Sequence, residues 1–346
     1  LPENMYLSEN DNEIVTGKGI HISAQEPVSV LAYLTRRYTA ESFRVYPSEW
    51  LGKRYYTLNL YQDRYGDQLC PAEFVVVATE DATSVTYTPK VATPRVAAGS
   101  AKTVTLRKGQ TLLVLAKSVE ANSWSVSRSD LTGSLITSNK PVAVISGHTK
   151  AAYPEFPTEV GGVDQEWVRN VFCEMMPPVE HCGKEFAIVP FKNSTRYTPH
   201  ENSVGGSNSM LRFVATESGT MVQKAVYNQN TNKLDYINVT NTLAAGEFYD
   251  IVVDQYKPSY FVSNKPILTG LYNYSWSDHF ASSLAQVGTT ALIYCAPIER
   301  WASRSIMPID VSDYTNHLYV IFRTADISNL FYNGQSFSAK FGSSTS

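Results

Sequence analysis

The sequence predicts an all-β protein made of two to three tandem, pseudo-repeated units, each resembling an antiparallel β-sandwich. Three observations support this class. Short apolar runs alternate with polar turns along the 346 residues. The 22 tyrosines suit pleated, half-buried strands, as do the abundant Val and Thr. One pattern of turns and strands also recurs at domain-sized intervals. Long helical periodicities are few, so a helical class is not predicted.

The recurring pattern centres on a proline that precedes a short apolar run. It occurs at Pro27, at Pro141 within Asn-Lys-Pro (139–141), and at Pro266 within Asn-Lys-Pro (264–266). Because proline fixes φ and donates no hydrogen bond, each copy is expected to form a turn that leads into a buried strand. The pattern therefore predicts an internal repeat.

Three further landmarks recur between these prolines. They are a Gly-Lys strand start, a strand ending in a polar turn, and a Leu-x-x-Gly turn. The first occurs at 52–53 and 183–184 and more faintly at 301–306, the second at 74–81, 211–218 and 319–326, and the third at 106–109 and 243–246. We therefore predict unit 1 at residues 11–129, unit 2 at 130–253 and unit 3 at 254–346. The third unit is expected to be truncated, because its Leu-x-x-Gly turn is missing.

Strands are expected wherever β-branched and aromatic residues form short runs between polar turns. In unit 1 they are predicted at 19–23, 28–34, 54–61, 74–78, 84–88, 103–107, 111–116 and 123–127. In unit 3 they are predicted at 260–262, 267–274, 291–295, 318–323 and 330–332. Unit 2 carries two loop excursions, at 149–167 and 198–208.

Several motifs together indicate a family. They are Asp-Leu-Thr-Gly (130–133), Ser-Asn-Lys-Pro-Val-Ala-Val (138–144), Ser-Gly-His (146–148), Pro-Pro-Val (177–179), Gly-Lys-Glu-Phe (183–186), Thr-Ala-Asp-Ile-Ser (324–328) and Asn-Gly-Gln (333–335). This combination resembles the IgG Fc-binding protein N-terminal domain family over nearly the whole chain. The resemblance implies a secreted or cell-surface module of adhesive, mucus or matrix proteins. Immunoglobulin binding is not inferred. The family commonly has Cys soon after Ser-Gly-His, where this chain has residues 149–153, Thr-Lys-Ala-Ala-Tyr.

Composition and charge exclude several partners. A formal net charge of −3 provides no basic surface for nucleic acid or an anionic membrane. No apolar run is long enough to cross a bilayer, so membrane insertion is not predicted. The N-terminal Leu-Pro-Glu-Asn is expected to follow removal of a signal peptide, consistent with a secreted protein.

The four cysteines, Cys70, Cys173, Cys182 and Cys295, do not have the C-x-x-C spacing of a metal site. In an extracellular protein we expect one or two disulfides among them, with the pairing open. The alternative is four reduced, buried thiols. Cys173 and Cys295 each precede a proline-containing turn, so equivalent strands are expected for them.

Three N-glycosylation sequons begin at Asn193, Asn238 and Asn273. Asn193 and Asn238 lie beside polar turns and are candidates for modification. Asn273 lies in a tyrosine-rich run with strand character, so it is the least accessible of the three.

No catalytic motif is present, and the chain is not expected to be an enzyme. A Gly-x-Ser-x-Gly elbow, a P-loop, a His-Glu-x-x-His site and a dinucleotide fingerprint are all missing from the sequence. His148 and His181 are the candidate bases, but a structural histidine is the better interpretation of His148 at its Ser-Gly-His turn. No cofactor or metal is implied.

The predicted function is therefore that of an extracellular structural or adhesive module. Its expected partners are other extracellular proteins or copies of itself. Tyr153, Phe156 and Trp167 on the long excursion of unit 2 are the predicted contact residues, because aromatic side chains dominate interface energetics. The alternative for this loop is that it folds back over its own sheet edge. The alternative function is a carbohydrate-binding module, in which aromatic rings stack on glycans.

Overall fold

A computed structural model describes residues 3–36, 39–65, 68–119, 129–153, 159–160, 163–164, 169–190, 208–254, 257–273, 290–303 and 320–341. Leu1–Ile306 form one compact body and Met307–Ser346 a second. The predicted all-β class is confirmed, since antiparallel strands dominate the described chain. The candidate strand at 123–127 lies outside the described residues.

The strands of the larger body have these bounds, in chain order: β1 (Val15–Thr16), β2 (Val30–Arg36), β3 (Thr39–Val45), β4 (Gly52–Tyr56), β5 (Asp63–Tyr65), β6 (Gln68–Cys70), β7 (Ala72–Ala78), β8 (Thr83–Thr88), β9 (Lys102–Leu106), β10 (Thr111–Leu115), β11 (Leu135–Ala151), β12 (Glu159–Val160), β13 (Val163–Asp164), β14 (Asn170–Met175), β15 (Gly183–Ile188), β16 (Asn208–Ala215), β17 (Val222–Asn228), β18 (Lys233–Asn238), β19 (Phe248–Asp254), β20 (Ser259–Asn273) and β21 (Leu292–Tyr294). The smaller body contains β22 (Phe331–Tyr332), β23 (Gln335–Ser336) and α1 (Phe337–Phe341). Short 3-10 helices lie at Glu3–Met5, Glu9–Asp11, Ser48–Trp50, Val179–His181, Ile298–Arg300 and Thr324–Asn329.

Two large sheets are each organised around one long strand. The first has the order β1-β10-β7-β11-β8-β9, with β4 and β14 also pairing with β11. The second has the order β18-β17-β20-β16-β19, with β15 and β21 also pairing with β20. Every ladder between these strands is antiparallel. The two sheets therefore have the same topology, apart from the additional strand β1 at one edge of the first.

The register is also the same in both sheets. Val142 of β11 pairs with Gly52 on one side and Ala78 on the other. The equivalent Ile267 of β20 pairs with Gly183 and Ala215. An internal repeat is thus present in the strand pairing itself. The unit boundaries at 129/130 and 253/254 stay predictions, although β11 pairs with strands from the predicted first unit.

The expected turns at Pro141 and Pro266 are wrong, because both prolines lie inside a continuous strand. A proline is tolerated there because the ladder changes partners at this position. Before Pro141, β11 pairs with β4 and β8; after it, β11 pairs with β7 and then β14, and Val142 alone still pairs with Gly52 of β4. The separate strands predicted at 260–262 and 267–274 accordingly form the single strand β20.

The Asn-Lys pair before each proline anchors a neighbouring turn. Asn139 Oδ1 accepts the Ser84 N–H at 2.8 Å, and Lys140 Nζ donates to the Asp81 carbonyl at 2.7 Å. The equivalent residues of the second sheet make the same bonds. Asn264 Oδ1 accepts the Met221 N–H, and Lys265 Nζ donates to the Ser218 carbonyl oxygen. The recurring sequence therefore specifies a side-chain anchor within a strand.

The predicted strand at 19–23 is not formed: residues 20–23 are exposed, and the run pairs with no other strand in the described chain. Of the predicted strand at 318–323, residues 320–323 lie outside regular structure, and 318–319 lie outside the described residues. Both runs have β-type sequences, so local propensity does not explain the outcome. A strand also requires a neighbour that takes up its backbone hydrogen bonds.

Consecutive repeats stack through Pro-x-Glu turns. Gly52 lies against Pro178 and Glu180, and a Cβ at Gly52 would overlap the Glu180 carboxylate. Gly183 packs in the same way against the turn that begins at Pro297. The Lys184 N–H also donates to Glu299 Oε1 at 2.9 Å. The glycine of each Gly-Lys strand start therefore allows close approach to the next repeat.

The second sheet is buried on both faces at its centre. Met210 and Val214 of β16 point into the main core, which they share with Phe74 and Val144 of the first sheet. The intervening residues point into a second core with these members: Phe186, Ile188, Leu211, Phe213, Val222, Val253, Phe261, Ile267 and Leu271. Alternation along one strand thus supplies two cores.

A buried arginine joins the two sheets. Arg212 of β16 is 3% exposed and makes a bidentate ion pair with Asp250 of β19, with both N–O distances 2.7 Å. Its Nη1 lies 2.7 Å from Asp130 Oδ2 and 2.6 Å from the Asn59 carbonyl oxygen. Asp130 and Asn59 belong to the segments that line the first sheet. A single cation thereby holds the Asp-Leu-Thr-Gly segment against the second repeat.

Replacing this arginine is expected to destabilise the whole body. Arg212→Met removes the cation and leaves Asp130, 9% exposed, as an unpaired buried carboxylate, which should cost ~3–5 kcal/mol of unfolding free energy. Asp250→Asn is the matched control, because Asp250 is 33% exposed and solvent compensates for the loss, so ~1 kcal/mol is expected. Urea denaturation followed by circular dichroism measures both. A cost for Arg212→Met no larger than the control's would contradict this role.

Candidate protein-binding surface

Each sheet carries a two-stranded ribbon at the same place, β8–β9 in the first and β17–β18 in the second. In the first ribbon the residues alternate cleanly. Val85 and Tyr87 are fully buried, and the outer face is polar, with Thr86 Oγ1 2.7 Å from Thr103 Oγ1. This is the usual pattern of a sheet that covers a core on one side and meets water on the other.

The β17–β18 ribbon departs from that pattern. All six residues of β18 are exposed, although three of them are large and apolar. Tyr236 is 48% exposed, Ile237 55% and Leu234 48%. On β17, Tyr227 is 57% exposed. Single exposed apolar residues are ordinary, but a contiguous group on one ribbon is typical of an interaction site.

The register places three of these residues, together with Ala225, on one face. Tyr227 pairs with Leu234, and Ala225 pairs with Tyr236. Directly opposed residues of an antiparallel ladder point to the same side. We call this set, Ala225, Tyr227, Leu234 and Tyr236, the tyrosine face. It continues onto β20, because Ala225 also pairs with Tyr260.

The ribbon also forms an edge of its sheet. β18 is the outermost strand in the order of the second sheet, and among the described strands it pairs only with β17. Edge strands are commonly protected by charged residues or by short length. The charges of β18 are Lys233 and Asp235, which alternate with the exposed apolar residues. The edge is therefore only partly protected against addition of another strand.

This ribbon was not predicted as a contact surface, although its sequence carries a local signal. Two runs of alternating character, 222–228 and 233–238, flank the polar turn Gln-Asn-Thr-Asn at 229–232, as is typical of a hairpin. What the sequence did not indicate is that Tyr227, Leu234 and Tyr236 remain uncovered. Their exposure depends on which segments pack nearby.

The predicted contact residues lie elsewhere. Tyr153 is half-buried and packs against the main core, and its backbone N–H donates to Thr290 Oγ1 at 2.8 Å. Phe156 and Trp167 lie outside the described residues. Partner contact through these three residues stays a prediction, as does the alternative that their loop covers its own sheet edge.

All four cysteines are free thiols in this structure. Cys70 and Cys182 are buried, and Cys173 and Cys295 are half-buried. Burial raises the pKa of Cys70 to about 11 and those of Cys182 and Cys295 to about 12, so neutral thiols are favoured. β14 and β21 are equivalent strands, but Cys173 lies within β14 and Cys295 one residue beyond β21. Disulfide formation stays a prediction.

The sequons differ in accessibility. Asn238 lies on the exposed strand β18, where its Oδ1 accepts a hydrogen bond from Gln223 Nε2 at 2.8 Å. Asn273 is 9% exposed at the end of β20. Asn193 lies outside the described residues. Glycosylation at each site stays a prediction, and the geometry favours Asn238 over Asn273.

The two histidines have structural environments. His148 is fully buried, its Nδ1 accepts the Lys150 N–H at 3.1 Å, and its Nε2 lies 2.9 Å from the Tyr61 carbonyl oxygen. These bonds place the proton on Nε2, and burial lowers the pKa of His148. The His181 ring makes an edge contact with Trp50 at 5.3 Å. Among the described residues, no three His, Cys, Asp or Glu side chains are grouped to hold a metal.

A pair of carboxyl groups lies where the β2–β3 hairpin packs against β14. Asn170 Nδ2 of β14 donates to the Ala40 carbonyl oxygen at 3.0 Å. Burial raises the pKa of Glu41 on β3 to about 7. Burial, with a contribution from the Glu41 charge, raises the pKa of Glu174 on β14 to about 8. Both carboxyls are therefore largely protonated in weakly acidic solution.

Comparison with known proteins identifies the class. The family model described as IgGFc binding protein matches residues 41–346, and the chain belongs to this family. The match confirms the resemblance noted from the motifs. Membership indicates an extracellular, protein-binding module. No curated protein matches the chain. None of the helices among the described residues has the length and apolarity to span a bilayer.

The carboxyl pair predicts a specific pH dependence. Because the pKa values of Glu41 and Glu174 are raised on folding, the folded state binds these protons more tightly than the unfolded chain. The stabilisation that these two carboxyls contribute to the folded state is therefore complete below the unfolded pKa, near 4.5. It is lost as the pH rises through about 8. Glu174→Gln should reduce the fall in unfolding free energy between pH 5 and pH 9, by ~2 kcal/mol or more.

Thermal or urea denaturation across this pH range measures the effect. Glu49→Gln, at an exposed position of the Ser48–Trp50 turn, is the matched control and should leave the pH profile unchanged. A Glu174→Gln profile that parallels the wild type would contradict the assignment.

The sequons predict a pattern of modification. In glycosylating cells, Asn238 should carry a glycan because its side chain reaches solvent, whereas Asn273 should not because it is packed in β20. Glycopeptide mass spectrometry measures occupancy at each asparagine, and Asn238→Gln should remove the corresponding mass. High occupancy at Asn273 in folded protein would show that its position in β20 is wrong.

Proposed function

We propose that this chain acts as an adhesive or structural module of extracellular material, and that it binds other extracellular proteins through the β17–β18 ribbon. Family membership supports the broader part of this proposal, an extracellular protein-binding module. The adhesive role and the choice of surface are supported by the geometry of the second sheet. No immunoglobulin specificity is included.

One observation carries the choice of surface. On the outer face of the first ribbon the opposed pair is Thr86 and Thr103; the second ribbon has Gln223 and Asn238 at that place and extends beyond it. The extension presents Tyr227, Leu234 and Tyr236. Both ribbons pair in the same register with the long strand of their sheet. The fold therefore does not by itself require apolar side chains on the outer face of the second ribbon. Tyrosine is enriched among residues that dominate binding energy at interfaces, because its ring buries a large area with little loss of conformational freedom.

The ribbon also offers two modes of contact. Its tyrosine face can be covered by a partner's apolar side chains, and its outer edge can accept an added strand through backbone hydrogen bonds. Lys233 and Asp235 on the same strand add charges of both signs that can select the partner's register. These features suit a protein partner.

Carbohydrate binding is the second candidate function, and one observation favours it. Tyr227 and Tyr236 expose their rings on one face, on either side of the small Ala225. The amide side chains of Gln223 and Asn238 lie next to them and are joined by a 2.8 Å hydrogen bond. Exposed rings beside amide groups can stack on a sugar and bind its hydroxyls. Asn238 is itself a candidate glycosylation site, however, and a glycan there would crowd this surface.

The test uses the full chain immobilised on a biosensor. The probes are purified extracellular matrix proteins and mucins, each before and after enzymatic deglycosylation. Tyr236→Ala should weaken binding by ~30-fold or more, as loss of a central interface residue costs ~2 kcal/mol. Tyr249→Ala is the matched control, because Tyr249 is 42% exposed on β19 at the other edge of the same sheet. It should bind like the wild type.

The deglycosylated probes separate the two candidates. Binding that survives deglycosylation and depends on Tyr236 supports protein recognition. Binding that disappears with the glycans supports the carbohydrate alternative. Binding to no probe, or equal loss in both variants, would overturn the proposed surface.

A further inference from the structure

The sequon at Asn238 and the tyrosine face lie on the same side of one strand. Asn238 and Tyr236 are two residues apart on β18, so their side chains point the same way, about 7 Å apart. The residues opposite them on β17 are Gln223 and Ala225. A substituent on Asn238 therefore leaves the strand beside the ring of Tyr236.

The Asn238 amide is held in the orientation that a glycan needs. Its Oδ1 accepts a hydrogen bond from Gln223 Nε2 at 2.8 Å. This bond uses the oxygen and leaves the nitrogen, the atom to which an N-glycan is attached, on the solvent side of an exposed strand. The first sugar thus starts from a fixed position rather than from a freely rotating side chain.

Tyr236 offers that first sugar a surface to lie on. Its side chain is 48% exposed, and the opposed Ala225 is too small to cover the ring. An N-acetylglucosamine ring carries C–H groups on its faces, and these pack on the apolar face of an aromatic ring. Sugar and tyrosine therefore remove apolar surface of each other from water.

The first ribbon has neither feature. In the shared register, Thr103 stands at the place of Asn238 and Ala101 at the place of Tyr236. The sequon and the ring beside it occur together in the ribbon that leaves apolar residues uncovered. That co-occurrence favours a joint role over a chance sequon.

The third residue of the sequon limits when a glycan can be attached. Thr240 is 6% exposed, and its Oγ1 accepts the Val222 N–H at 3.0 Å. The glycosyltransferase must reach this side chain to recognise the sequon, and pairing of β17 with β18 buries it. Attachment therefore precedes folding of the ribbon, and a chain that folds without a glycan stays without one.

We propose that an N-glycan on Asn238, attached before the ribbon folds, lies with its first sugar on Tyr236 and closes the tyrosine face to protein partners. Glycosylated chains then have a covered ribbon, and unmodified chains an open one. The ratio of the two forms is set during synthesis. The regulatory consequence rests on the proposed function, whereas the contact between sugar and ring does not.

Chemical labelling of tyrosine tests the contact without any partner. Wild type and Asn238→Gln are made as full chains in the same glycosylating cells, and nitration by tetranitromethane is followed at each tyrosine by peptide mass spectrometry. Tyr236 should react about fivefold more slowly in the glycosylated wild type than in Asn238→Gln, the factor expected for one aromatic stacking contact. Tyr249, 42% exposed on β19, is the internal control and should react equally in both.

Trimming the glycan separates this contact from simple crowding. An endoglycosidase that leaves only the first N-acetylglucosamine should preserve the slow nitration of Tyr236, because the proposed contact uses that sugar alone. Complete removal of the glycan should abolish it. Protection that is lost on trimming would show crowding by the outer sugars and would overturn the contact. An unmodified Asn238, or equal nitration of Tyr236 in wild type and variant, would overturn it as well.

The order of events has its own test. The folded, unmodified chain should gain no glycan at Asn238 from purified oligosaccharyltransferase and its lipid-linked donor, whereas the same chain translated with microsomes should be modified. Equal modification of both would show that folding does not protect the sequon and would overturn this step.

Closure of the tyrosine face is measured on the biosensor, with the probes chosen for the ribbon. The glycosylated wild type should bind about 30-fold more weakly than Asn238→Gln, because the sugar covers the same ring that Tyr236→Ala removes. Equal binding of the two, with slow nitration of Tyr236 confirmed, would reject the closure alone. Binding of Asn238→Gln to no probe would reject the function proposed for the ribbon and leave the contact between sugar and ring standing.

Discussion

Arg212 is the interaction on which the joining of the two sheets depends. Its guanidinium lies inside the molecule, and it is satisfied only when Asp130, Asp250 and the Asn59 carbonyl oxygen are all in place. Tyr272 reinforces the same point by donating to the Asn59 carbonyl oxygen at 2.8 Å. A buried cation tolerates few alternative arrangements, because each loses a charged hydrogen bond in a region of low dielectric. The Asp-Leu-Thr-Gly segment is thereby fixed against the second repeat.

Around this point the two repeats keep one backbone and differ in the side chains that meet solvent. The same ladders, turns and anchoring bonds recur, so the fold constrains the inner positions of β8 and β17 in the same way. The outer positions carry no such constraint. In the first repeat the outer residues include Thr86 and Thr103, and in the second the ribbon is longer and carries the tyrosine face. The place where equivalent strands diverge is therefore the place where a partner is best sought.

The recurring motifs predicted the repeat, yet their local meaning was only partly predictable. The Leu-x-x-Gly motif does form a turn, since Gly109 and Gly246 both adopt a positive φ that glycine favours. The proline motif does not, because β4, β7, β8 and β14 hold Pro141 inside a continuous strand. The sequence around Pro141 does not indicate which distant strands will pair with it. The candidate binding surface was less predictable than the fold. The aromatic residues predicted as contacts lie on the unit 2 excursion, whereas the exposed tyrosines lie on a hairpin whose sequence is that of an ordinary hairpin.

Composition, alternation and turn residues by themselves determined that the chain is all-β, internally repeated and free of recognisable catalytic motifs, and its motifs showed the resemblance to one extracellular family. These properties follow from local preferences and from patterns visible along the chain. Only the tertiary structure decided which strands pair, which apolar residues are buried, and that Tyr227 and Tyr236 stay exposed. Pairing and burial depend on segments far apart in sequence, such as β4 with β11 or Arg212 with Asp130, and no local preference specifies a distant neighbour.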